Sequence, residues 1–81
     1  METRVAVISI LVENLDSVGS LNDLLHEYSS YVIGRMGIPH REKKISIISV
    51  AIDAPQDIIN ALTGKLGRLE GITAKAAYSK K

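Results

Sequence analysis

The sequence predicts an α+β fold in which four antiparallel strands form one sheet and two helices cover one of its faces. Two apolar runs, residues 5–12 and 45–52, are hydrophobic on both alternating sides, which is typical of strands at the centre of a sheet. A stripe of apolar residues at helical spacing follows each run. The chain has 81 residues and no Cys. We therefore expect a single domain over residues 1–81, without disulfides.

The first half of the chain predicts a strand, a helix and a second strand. Residues 5–12 form the first strand, β1, and a helix, α1, is expected from about residue 17 to residue 29. The next strand, β2, runs from residue 31 to about residue 40 and contains Pro39, which is tolerated chiefly at sheet edges. β2 should therefore be an edge strand. The apolar stripe of α1 is Val18, Leu21, Leu24, Leu25 and Tyr28.

The second half of the chain predicts a hairpin turn, a central strand and a helix start. The charged residues 41–44 form the turn, and residues 45–52 form the third strand, β3. Residues 53–56 are typical of a helix start, because Asp53 can cap the free N–H groups and Pro55 fits the first turn. The apolar stripe of this second helix, α2, is Ile58, Ile59, Leu62, Leu66 and Leu69.

The end of the chain completes the topology. Gly71 can adopt the left-handed conformation that ends α2, and residues 72–78 form the last strand, β4. The element order βαββαβ with right-handed crossovers gives the ferredoxin-like arrangement, with spatial strand order 4-1-3-2. This order places the two apolar strands in the middle and β2 on an edge, in agreement with their composition.

One face of this sheet has no helices to cover it. Six apolar side chains there, each leaving roughly 60 Å² in water, would expose about 350 to 400 Å², an area that marks an interaction surface. We expect the protein to form a homo-oligomer, a dimer or a tetramer, through this face; the alternative is that Lys and Arg stems from β2 and β4 lie across it. The predicted interface residues are Val5, Val7, Ser9, Leu11, Ile45, Ile47, Ser49 and Ala51.

The residue types that act in catalysis or metal binding in other proteins do not form a recognisable site in this sequence. His26 and His40 are the only imidazoles, and neither has a partner at a known ligand spacing. The serines lack the context of a nucleophile elbow, so we expect no enzyme, no cofactor and no metal. The chain contains no Phe or Trp, and no Tyr falls on β1 or β3, which argues against direct nucleic-acid binding despite a basic cluster. That cluster is Arg35, Arg41, Lys43 and Lys44.

The junction between β1 and α1 carries a motif, Asp16-x-x-Gly19-x-Leu21. It resembles the D-x-P-G-x-L signature that opens the first helix of ACT domains, with Val18 in place of the usual Pro. Those are small regulatory modules that pair through their sheets and often bind amino acids near this loop. The resemblance implies effector binding at Asn14, Asp16, Gly19 and Ser20; a helix start capped by Asp16 or Ser20, and nothing more, is the alternative.

Two further resemblances concern larger parts of the chain. Residues 44–72 resemble the C-terminal regulatory domain of nickel-responsive repressors, but Ser49 and Ala51 occupy the positions of its two metal-binding His, and Asp57 that of a Cys ligand. The whole chain resembles the small ACT-like proteins described as regulators of iron-only hydrogenase systems. That resemblance implies a regulatory role.

We therefore predict a non-enzymatic ACT-like regulatory module that oligomerises through its sheet and binds a small effector, such as an amino acid, at the first strand–helix loop. The alternatives are a structural protein–protein interaction domain without a ligand, and an enzyme with a site between subunits. No apolar stretch approaches the roughly 20 residues that span a bilayer and no charged leader is present, so we expect a cytoplasmic protein with no membrane contact.

Overall fold

The sheet has the predicted topology. The computed structural model describes residues 2–80, so residues 1 and 81, the two ends of the predicted domain, lie outside the described residues. The strands are all antiparallel in the order β2-β3-β1-β4, which confirms the predicted order and the edge position of β2. The elements are β1 Arg4–Val12, α1 Val18–Glu27, β2 Val32–His40, β3 Ile45–Ala54, α2 Gln56–Gly67 and β4 Ile72–Tyr78.

The core lies between the two helices and one face of the sheet. Ile8 pairs with Val50 across the two central strands, and both side chains are fully buried. The apolar stripes of the helices meet them, since Leu21 of α1 and Leu62 of α2 are also fully buried. The bulkier residues of β1 and β3 therefore lie beneath the helices. The buried residues of these two strands are Ala6, Ile8, Ile10, Val12, Ile48, Val50, Ile52 and Ala54.

The start of α2 differs from the prediction. Asp53 does not cap the helix, because β3 continues through Asp53 to Ala54 and pairs these residues with Val5 and Arg4. Ala54 extends the alternating pattern of β3 into the core, where it is fully buried. Pro55 then takes the N-cap position, and no side chain caps the helix there.

Strand β2 contains a bulge that was not predicted from the sequence. Its pairing with β3 shifts between Val32 and Gly34, which leaves Ile33 as an extra residue. Because side chains alternate along a strand, one extra residue reverses the faces of every residue that follows it. Beyond the bulge, Arg35 pairs with the buried Val50 on the helix side, and Met36 pairs with Ser49 on the opposite side.

Candidate interaction face and effector loop

The side of the sheet that faces away from the helices is hereafter the uncovered face. The pairing of β1 with β3 shows that all the predicted interface residues lie on the uncovered face, since Val7 pairs with Ala51 and Leu11 pairs with Ile47. Val5, Val7, Leu11 and Ile47 are 40 to 44% exposed. The uncovered face therefore presents large aliphatic groups along both central strands. The predicted residues found there are Val5, Val7, Ser9, Leu11, Ile45, Ile47, Ser49 and Ala51.

Strand β2 enlarges this apolar surface. Because of the bulge, Met36 and Ile38 also lie on the uncovered face, with 63% and 55% of their surface exposed. Ile38 pairs with Ile47, which in turn pairs with Leu11, so three aliphatic side chains form a row across three strands. The predicted interface omitted Met36 and Ile38. Gly34, a residue often found at bulges, was the only sequence signal for their orientation.

The uncovered face is not shielded by basic side chains from the edge strands. Only two such residues occur on β2 and β4, Arg35 and Lys75. Arg35 lies on the helix side, and Lys75 lies on the uncovered face opposite Ser9. A single Lys stem cannot cover a row of aliphatic groups that crosses the sheet, so shielding by Lys and Arg stems does not explain this face.

The loop between β1 and α1 is fastened to the turn between α2 and β4. The Glu13 N–H donates to the Gly71 carbonyl at 2.7 Å, and the Ser17 hydroxyl donates to the Glu70 carbonyl at 2.6 Å. Gly71 has φ +70°, the predicted left-handed conformation, but it does not end α2 as predicted, because the helix already ends at Gly67. A Cβ on Gly71 would lie 2.5 Å from the Cβ of Asn14, so glycine is required for this close approach. The loop is therefore held by the second half of the fold.

The loop is capped by a different residue from the ones predicted. The Asn14 side chain accepts a hydrogen bond from the Asp16 N–H at 3.0 Å and caps a short 3-10 turn, Leu15–Ser17, that leads into α1. Neither Asp16 nor Ser20 caps α1, whose N-cap position is Ser17 with no side-chain cap. A second 3-10 turn, Ser29–Tyr31, follows α1, so the helix is shorter than predicted.

The four predicted effector residues lie close together along this loop and the first turn of α1. Asp16, Gly19 and Ser20 are exposed, and Asn14 is half-buried beside Gly71. Gly19 lies in the first turn of α1. The space beside it is open, because an added Cβ would meet nothing within 4 Å. The first N–H groups of a helix have no intrahelical partners. Here the preceding 3-10 turn occupies the first of them, because the Val18 N–H donates to the Leu15 carbonyl. The turn therefore combines the positive end of the helix dipole with a nearby carboxylate on Asp16.

The remaining polar residues do not assemble a metal centre within residues 2–80, where no group of three or more His, Cys, Asp or Glu side chains is found. His26 and His40 are both exposed. Arg35 does not join the basic hairpin turn, because it points to the helix side and donates to the Asn22 side chain at 3.2 Å.

No helix among the described residues is long and apolar enough to cross a membrane.

Comparison with known proteins identifies the family. Residues 4–76 match the family model described as "TM1266-like: Iron-only hydrogenase system regulator, putative". The chain belongs to the TM1266-like family. The resemblance to regulators of iron-only hydrogenase systems is thereby confirmed, and the family description names a regulatory role. No curated protein matches the sequence.

Solved structures extend the comparison within and beyond the TM1266-like family. The uncharacterised protein TM1266 from Thermotoga maritima is 34% identical and superposes with a TM-score of 0.93, over 98% of this chain and 100% of that one. A formyltetrahydrofolate deformylase from Pseudomonas putida KT2440 superposes with a TM-score of 0.68 at 13% identity, over 95% of this chain and 29% of the enzyme chain. The second similarity shows the fold alone.

Proposed function

We propose that this TM1266-like protein is a non-enzymatic regulatory module that pairs with a second copy through its uncovered face and binds a small effector at the β1–α1 loop. The observation that carries the proposal is the row of exposed aliphatic side chains across the sheet. Leu11, Ile47 and Ile38 form its centre, with exposures of 44 to 55%. A regulator can use such a pairing to hold its two effector loops in a fixed arrangement.

The size of the uncovered face supports pairing. Its six large apolar side chains expose roughly 500 Å², near the upper end of the patches that monomers present to water. A four-stranded sheet with strands of about nine residues measures roughly 30 by 19 Å, so face-to-face packing would cover on the order of 600 Å² per partner, at the small end of specific interfaces. These six side chains are Val5, Val7, Leu11, Met36, Ile38 and Ile47.

Sedimentation velocity on the purified protein tests the pairing. We expect a dimer or tetramer at tens of micromolar, and a monomer after Ile47→Lys, because this substitution places a charge in the middle of the aliphatic row. The matched control is Leu15→Lys, which adds the same charge at a side chain 55% exposed but outside the sheet. A wild-type protein that stays monomeric, or a control that dissociates equally, would contradict the proposal.

The β1–α1 loop offers suitable chemistry for a zwitterionic effector. The positive end of the α1 dipole favours a carboxylate, and the exposed Asp16 carboxylate can pair with an ammonium group. Gly19 lies between these features and has no packing role, since open space surrounds it. An amino acid carries both charged groups. This is the basis for proposing amino acids as effectors.

Substitution at Gly19 tests the effector site without disturbing the core. A panel of amino acids is titrated into the wild-type protein and into Gly19→Trp while amide shifts are followed by NMR. We expect saturable shifts at Asn14, Asp16 and Ser20 in the wild type, and their loss in Gly19→Trp, where the indole covers the start of α1. Gly19→Ala is the control, because a methyl group meets nothing within 4 Å.

The alternatives give different results in the same experiments. A structural interaction domain would form the oligomer but show no shifts with any amino acid, and the capping role of Asn14 would then account for the loop. An enzyme with a site between subunits would instead consume a substrate only in the oligomeric protein, so activity would disappear in Ile47→Lys. Oligomer formation and effector binding are measured separately, and either part of the proposal can fail alone.

A further inference from the structure

A groove on the helix side of the sheet is separate from both features described above. It lies between α1 and the edge strand β2 and has a volume of about 520 Å³. Its floor is apolar and consists of Leu25, Val32 and Val50. This volume falls within the range of roughly 300 to 1,000 Å³ that is typical of small-molecule sites. The groove therefore offers an apolar contact for the body of a small ligand.

The rim of the groove carries one positive charge, on Arg35, that no carboxylate pairs with. Arg35 lies on the β2 side, and its only hydrogen bond among residues 2–80 is to the Asn22 side chain at 3.2 Å. A guanidinium has five N–H donors. Asp23 lines the same groove, yet neither it nor any other carboxylate in the described part of the chain forms an ion pair with Arg35. Most of the donors of Arg35 are therefore available to a ligand.

The orientation of Arg35 depends on the bulge in β2. The extra residue at Ile33 sets the faces of the residues that follow it, so that Arg35 lies beside the groove while Met36 lies on the uncovered face. Bulges often redirect a side chain next to a functional site. Without the bulge, alternation from Val32 would place Arg35 on the uncovered face and leave the groove without a cation. The bulge thus supplies an observation independent of the groove itself.

We propose that this groove binds a small aliphatic carboxylate. The carboxylate accepts hydrogen bonds from the guanidinium of Arg35 in a bidentate pair, and the aliphatic chain lies against Val32 and Leu25. A single negative charge suits the site better than the two of a phosphate, because the groove contains one Arg together with the carboxylate of Asp23. Ser29 and His26 add polar contacts at the rim.

The test uses 4-methylpentanoate as the probe, titrated into the nitrogen-15-labelled 81-residue protein. We expect saturable amide shifts at Asn22, Ser29 and Val32, with a dissociation constant in the millimolar range. The neutral isostere 4-methylpentanamide should bind at least about tenfold more weakly, because it lacks the charge-assisted pair with Arg35. Shifts confined to residues outside the groove, or equal binding of acid and amide, would overturn the proposal.

Substitutions then test whether Arg35 is the cation that binds the carboxylate of the probe. Arg35→Gln should weaken binding of 4-methylpentanoate at least about tenfold while keeping a donor toward Asn22. Arg68→Gln removes the same charge at the end of α2, outside the groove, and should bind as the wild type does. Equal affinities in the wild type and Arg35→Gln would contradict the assignment.

The groove can be tested independently of the proposed function. It belongs to one protomer and lies on the side of the sheet opposite the uncovered face. The Ile47→Lys variant should therefore bind 4-methylpentanoate with unchanged affinity even where it is monomeric, and Gly19→Trp should leave the shifts at Asn22, Ser29 and Val32 intact. Loss of binding in Ile47→Lys would show that the groove is not a site of the single protomer and would overturn the proposal in this form.

Discussion

Gly71 and Asn14 lie in direct contact where the turn before β4 meets the loop after β1. Gly71 has φ +70°, and a Cβ built on it would approach the Asn14 backbone nitrogen to 2.8 Å. Gly71→Ala therefore combines an unfavourable backbone conformation with a clash against backbone atoms that cannot move aside. We expect the free energy of unfolding to fall by about 2 to 4 kcal/mol, measured by urea denaturation at a fixed protein concentration.

Gly19→Ala is the matched control for this prediction. Gly19 lies in the first turn of α1, and an added methyl group meets nothing within 4 Å. Because alanine is the better helix former, the free energy of unfolding should stay unchanged or rise by up to about 1 kcal/mol. Equal effects of the two substitutions would show that the contact between Gly71 and Asn14 does not hold the loop.

The buried hydroxyl of Ser17 gives a second prediction for the same junction. It donates to the Glu70 carbonyl at 2.6 Å and is the one polar side chain buried within residues 2–80. Ser17→Ala removes this hydrogen bond and should lower the free energy of unfolding by about 1 to 2 kcal/mol. Ser20→Ala, at an exposed position of α1, should change it by less than about 0.5 kcal/mol. Urea denaturation with an unchanged m-value would assign the difference to the native state.

The central strands could be predicted from sequence because their alternation determines which side chains share a face. Val7 and Leu11 are four residues apart and therefore point to the same side of the strand. Both fall on the uncovered face once Ile8 and Ile10 are assigned to the core. Gly71 was also predictable, because few other residues adopt a left-handed turn after a helix. Local rules were sufficient for these elements.

The faces of β2 could not be predicted in this way. The bulge at Ile33 is determined by pairing with β3, and this pairing joins residues far apart in the sequence. Arg35 consequently seemed to belong with the basic turn, whereas it lies beside α1 and contacts Asn22. Asp53 was misassigned for a related reason: its carboxylate suits a helix cap, but pairing with Val5 extends the strand past it. The candidate groove depends on such contacts and was therefore absent from the sequence prediction.

The bulge leads to a prediction about the size of the interface. Met36 is 63% exposed on the uncovered face, so burial of its side chain against a second copy would remove roughly 100 Å² of apolar surface from water. Met36→Ser should therefore weaken self-association by about tenfold or more. Sedimentation velocity over a concentration series measures the change, and Leu15→Ser outside the sheet serves as the control. An unchanged dissociation constant would restrict the interface to the central strands.

The contact between Lys65 and Tyr28 provides a prediction about pH. The Lys65 ammonium donates to the Tyr28 hydroxyl at 2.8 Å and lies 5.2 Å from the centre of the ring, which joins α2 to the end of α1. The hydrogen bond to Tyr28, followed by its electrostatic attraction, raises the pKa of Lys65 above the ordinary lysine value. NMR titration of the Lys65 ε-methylene should show this elevated pKa in the wild type and a value closer to the ordinary one in Tyr28→Phe.

The sign of the shift determines where the contact affects stability. A raised pKa in the folded protein means that the stabilising contribution is complete below the ordinary lysine value of about 10.4 and is lost only as the pH rises through the raised value. Tyr28→Phe keeps the buried ring and removes the acceptor, so its effect on the free energy of unfolding should be the same at pH 6 and at pH 9. A Lys65 pKa that does not differ between the wild type and Tyr28→Phe would show that another group causes the shift.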